Sequence, residues 1–420
     1  MTGIGEKLHA HVAALYPLCR SITGEGLRAT LRDIAGRIPL QLTEVPSGTR
    51  VLDWEVPPEW TFRGAHVATR DGRRVIDAAR HNLHIVQYSE PVDRMVTRAE
   101  LEGHLHSLPD QPALIPYRTS YYVRDWGFCL AHDQRQALTD EAYRVRIDTT
   151  LAPGSLTYGE CVLPGEDAGE VLISAHCCHP SLANDNLAAV AIAVELARVL
   201  AARARRRFTY RFLFAPGTIG AICWLAANRD AAARVRHGLV LTCLGDPAEP
   251  SYKQSRRGDA PIDRYAAHVL DGRRIVPFSP TGYDERQFCS PGFDLPMGNL
   301  MRSPGGTFPE YHTSADNPDF VRPAALADSL DVLTRIVDLI EHDTVFRNTA
   351  PYGEPQLGRR GLYDGAADRL ALLWVLNLSD GRHSLLDIAE RSGRPFAAVV
   401  AAAQALRDAG LLVTACASAA

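Results

Sequence analysis

Residues 171–186 read VLISAHCCHPSLANDN, and this segment constrains the fold more than any other in the chain. It opens with an apolar run of the length of a buried strand. The run stops at His176, Cys177, Cys178 and His179, and after a proline turn Asp185 follows between Asn184 and Asn186. The next residues, LAAVAIAVELARVLAARA, keep apolar side chains on a helical period and predict a helix over 187–204. A buried strand, a polar turn and a helix form the repeating unit of an α/β sheet. In such sheets ligands bind beyond the carboxyl ends of the strands. One segment thus predicts both a fold class and the place of a site.

The alternation continues from about 155 to 345. FTYRFLFAP and GLVLTCLGD read as strands; TIGAICWLAANRDAAARV, PIDRYAAHVL and VRPAALADSLDVLTRIVDLIEHD read as helices. The expected fold is α/β: a mostly parallel mixed sheet with helices on both faces. Residues 4–36 read as helical, and 50–115, with VLDWEVPPEW and the alternating HNLHIVQYS, as a small β-rich module. SYYVRDWGFCL and RVRIDTTL read as further strands. A linker rich in Gly and Pro, 350–362, precedes a tail that reads helix, turn, helix, turn, helix and short apolar strand, the pattern of a winged helix. The expected division is 1–50 with 116–349 for the main domain, 51–115 for the β-rich insertion and 355–420 for the winged helix. Winged helices often read DNA through one helix. Here that helix, FAAVVAAAQALRDAG, holds one arginine and no lysine, so packing against protein is expected rather than nucleic-acid binding.

A formal net charge of -4 points to neither a nucleic acid nor a membrane surface as general partner. The basic run RARRR, 203–207, reads as the solvated end of the preceding helix. The N-terminus lacks an apolar signal segment, and no stretch is apolar enough to span a bilayer. Nine cysteines, an odd number placed mostly in apolar or site-like segments, do not read as a disulfide framework. The expectation is a cytoplasmic protein with reduced thiols and no membrane partner; a homo-oligomer is compatible with it.

Zinc takes His, Cys and carboxylate ligands, and catalytic zinc keeps a position open. His176 and His179 both qualify: one could bind metal while the other packs or hydrogen-bonds a carboxylate behind it. TGYDERQF, 281–288, sets Asp284, Glu285 and Arg286 side by side, and FPEYHTSAD, 308–316, places Glu310 and Tyr311 just before His312. Loops of this kind assemble metal sites from several strand ends. Arg118 in YRTSYY, and Arg256 and Arg257 in QSRRG, are candidates to grip a substrate carboxylate.

AHCCHP with ANDN, TGYDERQFCSPGFDLP and PEYHTSAD together resemble the zinc aminopeptidase-like fold. More closely, the chain resembles a bacterial family in which an aminopeptidase-like domain carries a small β-rich insertion and ends in a winged helix. Members are often associated with polysaccharide or natural-product gene clusters. The resemblance covers nearly the whole chain, including YPLCRSITGEG, YRTSYYVRDWGFC and LLWVLNLSDG. It implies a ligand histidine at His176, a bridging aspartate at Asp185 and a final ligand at His312. His179 has no counterpart in the di-zinc enzymes and could replace one of their ligands. Those enzymes carry two adjacent glutamates after the next strand, one the general base and one a zinc ligand. Here the corresponding 215–220 read APGTIG, without a carboxylate. Their later aspartate ligand meets Thr242-Cys243-Leu244 here, with Asp246 slightly beyond. The resemblance therefore implies one zinc rather than two, and a base missing from its usual place. Glu285, Glu310 and Asp284 are the candidate replacements; Tyr311, Tyr283 and Arg286 are candidates to steady an oxyanion.

The leading expectation is a zinc-dependent amide hydrolase acting on a small peptide or an amino-acid conjugate. The alternatives are an acyl-transfer, amide-forming or cyclising enzyme on the same fold, and a non-catalytic ligand-binding relative.

Overall fold

The computed structural model describes residues 2–363 and 368–415; Cys416 and the end of the expected tail domain lie outside them. The chain divides into two compact units, Met1–Thr334 and Arg335–Ala420.

The first unit is built on a mixed sheet, eight-stranded among the described residues. Its centre is four parallel strands in the order Thr209–Ala215, Glu170–His176, Val235–Leu241 and Met297–Met301. Antiparallel Ser155–Leu163 and Gln41–Pro46 extend one side, and Ser251–Lys253 with Ile275–Val276 the other. Every residue of Glu170–His176 is buried, as a strand covered on both faces requires. The helix Ala189–Ala201 buries most of its residues. It starts later than the expected 187, because Asp185 and Asn186 leave helical geometry.

Three local expectations change. Residues 4–36 hold two helices, Thr2–Leu15 and Glu25–Ala35. They are separated by a turn at Gly24, whose φ of 89° suits glycine and where a Cβ would strike the Trp60 carbonyl. The helix read over 218–235 is two, Ile219–Ala227 and Arg229–Arg234, interrupted where Asn228 turns to φ -121°, ψ 42°. Of SYYVRDWGFCL only Phe128–Cys129 is strand.

The β-rich module is a four-stranded antiparallel sheet, Arg74–Asp77, Glu59–Ala68, Ala142–Ala152 and Val92–Thr97 in order. Its long strand 142–152 lies outside the expected 51–115, so the module closes only when RVRIDTTL returns to it. Tyr143, Val145 and Ile147 alternate inward on that strand to meet Val67, Ile76 and Val96 in one core.

The second unit contains the helices Arg369–Leu378, Leu385–Ser392 and Phe396–Asp408 around Leu372, Val375, Val399 and Leu406. Ser384 and Asp387 cap the middle helix reciprocally. Val345–Asn348 pairs with both Asp380–Ser384 and Leu412–Thr414. This unit thus begins before residue 355, and its polar strand DGRHS was hidden by the lack of apolar alternation. Arg407, the arginine of the third helix, lies over the Phe346 ring of its own unit. Among the described residues no helix is long and apolar enough to cross a membrane.

His237 gives the main sheet an acid sensitivity. It is buried on Val235–Leu241 between the Phe208 and Tyr265 rings, and its Nδ1 has no hydrogen-bond partner. Burial, reinforced by Arg207 and Arg236, lowers its pKa to about 4. Above its unfolded pKa of about 6.5 both states are neutral and nothing is gained or lost. Below that the unfolded chain takes up the proton first, so stability falls between about pH 6.5 and 4, by at most roughly 3 kcal/mol. His237→Phe is expected to flatten that part of the stability–pH curve in urea titrations; an unchanged slope would remove His237 as a source.

Candidate metal centre

The parallel strands release their chain at one edge of the sheet. His176 is the last residue of its strand, Gly217 follows Thr209–Ala215, and Thr242 and Cys243 follow Val235–Leu241. Asp185 sits in the non-helical turn ahead of Ala189–Ala201 and is buried. The donor atoms of His176, His179 and Asp185 lie within 4.8 Å of one another, and all three residues are buried. His312 joins them from the distant loop.

The two oxygens of Asp185 face different partners. Oδ1 meets His176 Nε2 at 2.8 Å. Oδ2 meets His312 Nε2 at 3.0 Å and lies 3.8 Å from His179 Nε2. Burial alone would raise the Asp185 carboxyl, but His179, His176 and His312 around it hold it well below the usual range. Burial pushes His179 down to about 3 and lowers His176 as well, so both rings are uncharged near neutral pH. Buried, uncharged imidazoles beside an ionised carboxylate are the donor set a zinc ion takes.

Residues that sequence reasoning did not single out hold this set in place. Asn186 Nδ2 donates to the Leu241 carbonyl at 2.9 Å, and its Oδ1 accepts from Cys243 N–H at 3.2 Å, which fixes the amide's orientation. The same Nδ2 lies 3.1 Å from His176 Nδ1. His179 Nδ1 instead faces Cys178 Sγ at 3.3 Å. Asp316, buried and raised to about 7 by burial against the pull of backbone N–H groups, accepts from Asn184 N–H at 2.6 Å and Asp185 N–H at 2.9 Å. Asp246 is engaged with Asn184, Ala248 and Ser303 and stays outside the His176–His179–Asp185 group. His312 has a φ of 55°, sparsely populated for a residue with a side chain. Its ring stacks on Tyr311 at 3.9 Å, and its carbonyl accepts from Tyr117 N–H at 2.8 Å.

A pocket of about 300 Å³ opens beside Asp185. Glu285, Lys253, Asn299, Tyr283 and Tyr311 are on its wall. Glu285 is fully buried and paired with Lys253 Nζ at 2.9 Å. Asp284 is also buried, but neither of its oxygens has a hydrogen-bond partner; burial and then Glu285 raise its pKa well above the usual carboxylate range. Glu310 is half-exposed and is not part of the pocket wall.

The candidate substrate arginines fall elsewhere. Arg257 and Arg256 are exposed and bind Asp294, at 3.1 and 2.6 Å. Arg118 is exposed beside His106, and Arg286 points out of the same turn that buries Glu285. None of the four lines the pocket. The arginine motifs showed a charge in a loop but not its partner. Asn299 stands out only as a polar residue inside the apolar strand MGNLM, and Lys253, in the short strand SYK, carries no such signal.

Gly217 explains the missing glutamate sterically. A Cβ there would lie 2.5 Å from Tyr283 Cζ and nearer still to its Cε1 and hydroxyl. The Tyr283 ring, 3.7 Å from that of His176, fills the space a side chain at 217 would need.

The sequence model described as "Domain of unknown function (DUF4910)" matches residues 9–343, and that of a winged helix-turn-helix matches 344–414. A protein of Clostridium acetobutylicum named "Putative polysaccharide biosynthesis protein with aminopeptidase-like domain" is 45% identical over 419 residues, covering 97% of this chain and 96% of that one. A crystal structure described as a "putative peptidase" from the same species superposes with a TM-score of 0.94 at 44% identity, covering 98% of this chain and 97% of the other. A zinc aminopeptidase from Bacillus subtilis shares the fold, with a TM-score of 0.57, 14% identity and coverage of 79% and 94%. The chain belongs to the DUF4910 family, joining an aminopeptidase-like α/β domain to a C-terminal winged helix.

Proposed function

We propose that the chain is a zinc-dependent amide hydrolase, with His179, Asp185 and His312 as the protein ligands of one zinc and His176 behind Asp185. The observation that carries this reading is the division of labour at Asp185. Oδ1 is taken by His176, while Oδ2 faces His179 and His312. The Asn186 amide points a donor at His176 Nδ1, so the proton of that ring belongs on Nε2, where it is donated to Asp185. His179 is placed for the opposite arrangement: its Nδ1 faces the Cys178 sulfur at 3.3 Å, and with the ring proton assigned there Nε2 keeps its lone pair. His179 thereby takes the place of a ligand that the di-zinc pattern draws from a glutamate.

When bound, the zinc supplies Lewis-acid polarisation of the substrate carbonyl. Glu285 is the carboxylate on the pocket wall besides Asp185 and is assigned the general base. It takes a proton from the attacking water as the oxygen adds to the amide carbon. It returns that proton to the nitrogen as the C–N bond breaks, leaving a carboxylic acid and an amine. Tyr311 stays protonated, because burial and then Asp185 raise its pKa, and its hydroxyl is a donor for the oxyanion. Glu285→Gln is expected to lower turnover by about 10²–10⁴-fold in a panel of N-acyl and aminoacyl amides, and Glu310→Gln to leave it near wild type. Wild-type turnover in Glu285→Gln would remove that residue from the role.

A second reading, acyl transfer to an amine in a biosynthetic pathway, is favoured by the tyrosine that stands where the hydrolytic glutamate is expected. The relative's name, with its polysaccharide biosynthesis, agrees with a biosynthetic setting. Product analysis with an added amine acceptor separates the two: a new amide supports transfer, and free acid alone supports hydrolysis.

A further inference from the structure

We infer that the pocket beside Asp185 takes an uncharged, polyhydroxylated ring, so that the amide cleaved is carried by an amino sugar rather than by a peptide. The inference rests on the amide-hydrolase reading for the reaction and on the pocket wall for the substrate class.

One side of the pocket is a continuous hydrogen-bond network of buried groups. Thr242 Oγ1 donates to Asn299 Oδ1 at 2.9 Å, Asn299 Nδ2 reaches Glu285 Oε2 at 3.4 Å, and Glu285 Oε1 accepts from Lys253 Nζ at 2.9 Å. Lys253 also donates to the Thr281 carbonyl. Both Glu285 oxygens also accept from Tyr283 N–H, at 3.2 and 3.1 Å, so the spare capacity lies with the other three members. Lys253 has a third N–H, Asn299 a second N–H, and Thr242 its acceptor lone pairs. Two donors and an acceptor held by their neighbours match hydroxyls, each of which both gives and takes a hydrogen bond. Tyr311 and Met301, also on the wall, supply apolar surface for the C–H face of a ring.

The charges argue the same way. Lys253 and Glu285 already neutralise each other. An arriving carboxylate on Lys253 would face Glu285, and an arriving ammonium on Glu285 would face Lys253. Among the described residues of the wall the remaining charge is Asp185, assigned above to the metal, and no arginine is present. A volume of about 300 Å³ suits a single sugar-sized unit.

The test is binding to the zinc-loaded full chain, followed by saturation-transfer NMR. The two probes are the methyl glycoside of N-acetylglucosamine and N-acetylleucine amide. The sugar is expected to bind, to resist displacement by the leucine amide, and to lose about tenfold in affinity in Asn299→Ala and in the isosteric Thr242→Val. The second variant keeps the packing if the first disturbs the fold. No sugar binding up to about 10 mM, or equal binding in wild type and both variants, would overturn the inference. So would displacement by the leucine amide. Sugar binding without cleavage of its amide would leave this inference standing and count against the hydrolase reading.

Discussion

Asp185→Asn is expected to weaken zinc binding by well over about 100-fold, more than the loss of a group lying behind a ligand costs, while leaving the fold intact. The side chain keeps its size, so packing survives, but it loses the charge that draws His176, His179 and His312 together. The amide also places an N–H₂ where one of those nitrogens now meets an acceptor, at 2.8 Å for His176 or 3.0 Å for His312. Competition against a chromogenic chelator measures the affinity, and near-ultraviolet circular dichroism reports the packing. Native zinc affinity in the variant would mean that the metal is held elsewhere.

The second large effect concerns Gly217. Gly217→Ala is expected to cost about 1–3 kcal/mol, because the new methyl group runs into Tyr283 and overpacked cores relieve such clashes only by shifting neighbours. Tyr283→Ala alone enlarges the pocket beside His176 and, for a half-buried ring on the pocket wall, is expected to cost less than the roughly 3–5 kcal/mol of a fully buried aromatic truncation. Once Tyr283 is gone, the three atoms nearest a Cβ at 217 are removed, so the double variant is expected to be no less stable than Tyr283→Ala. The resulting coupling of roughly 1–3 kcal/mol is read from urea denaturation of the four proteins. Additive losses would show that Tyr283 is not what excludes a side chain at 217.

How far the sequence reached depended on whether a residue's partner was near it in the chain. His176, His179 and Asp185 lie within ten residues of one another, and the apolar strand before them announced where they would sit. His312 was found because it stands in a polar loop ahead of a long helix. The network on the pocket wall was not found. Thr242, Asn299, Glu285 and Lys253 come from four separate elements, and nothing local distinguishes a buried lysine in SYK from a surface one. The choice between His176 and His179 was equally out of reach, since it depends on which nitrogen Asn186 and Cys178 address. For the fold, alternation of apolar strands and helices revealed the main sheet. The small sheet was misjudged because its long strand, 142–152, returns after about 45 residues without matching strand.

The most direct test of the account is the zinc content of the purified native protein beside His179→Ala and His176→Gln, measured by elemental analysis after equilibration with zinc. The account predicts about one zinc per chain in the native protein, background in His179→Ala, and retained but weaker binding in His176→Gln. No zinc in the native protein, or zinc kept by His179→Ala and lost by His176→Gln, would contradict it.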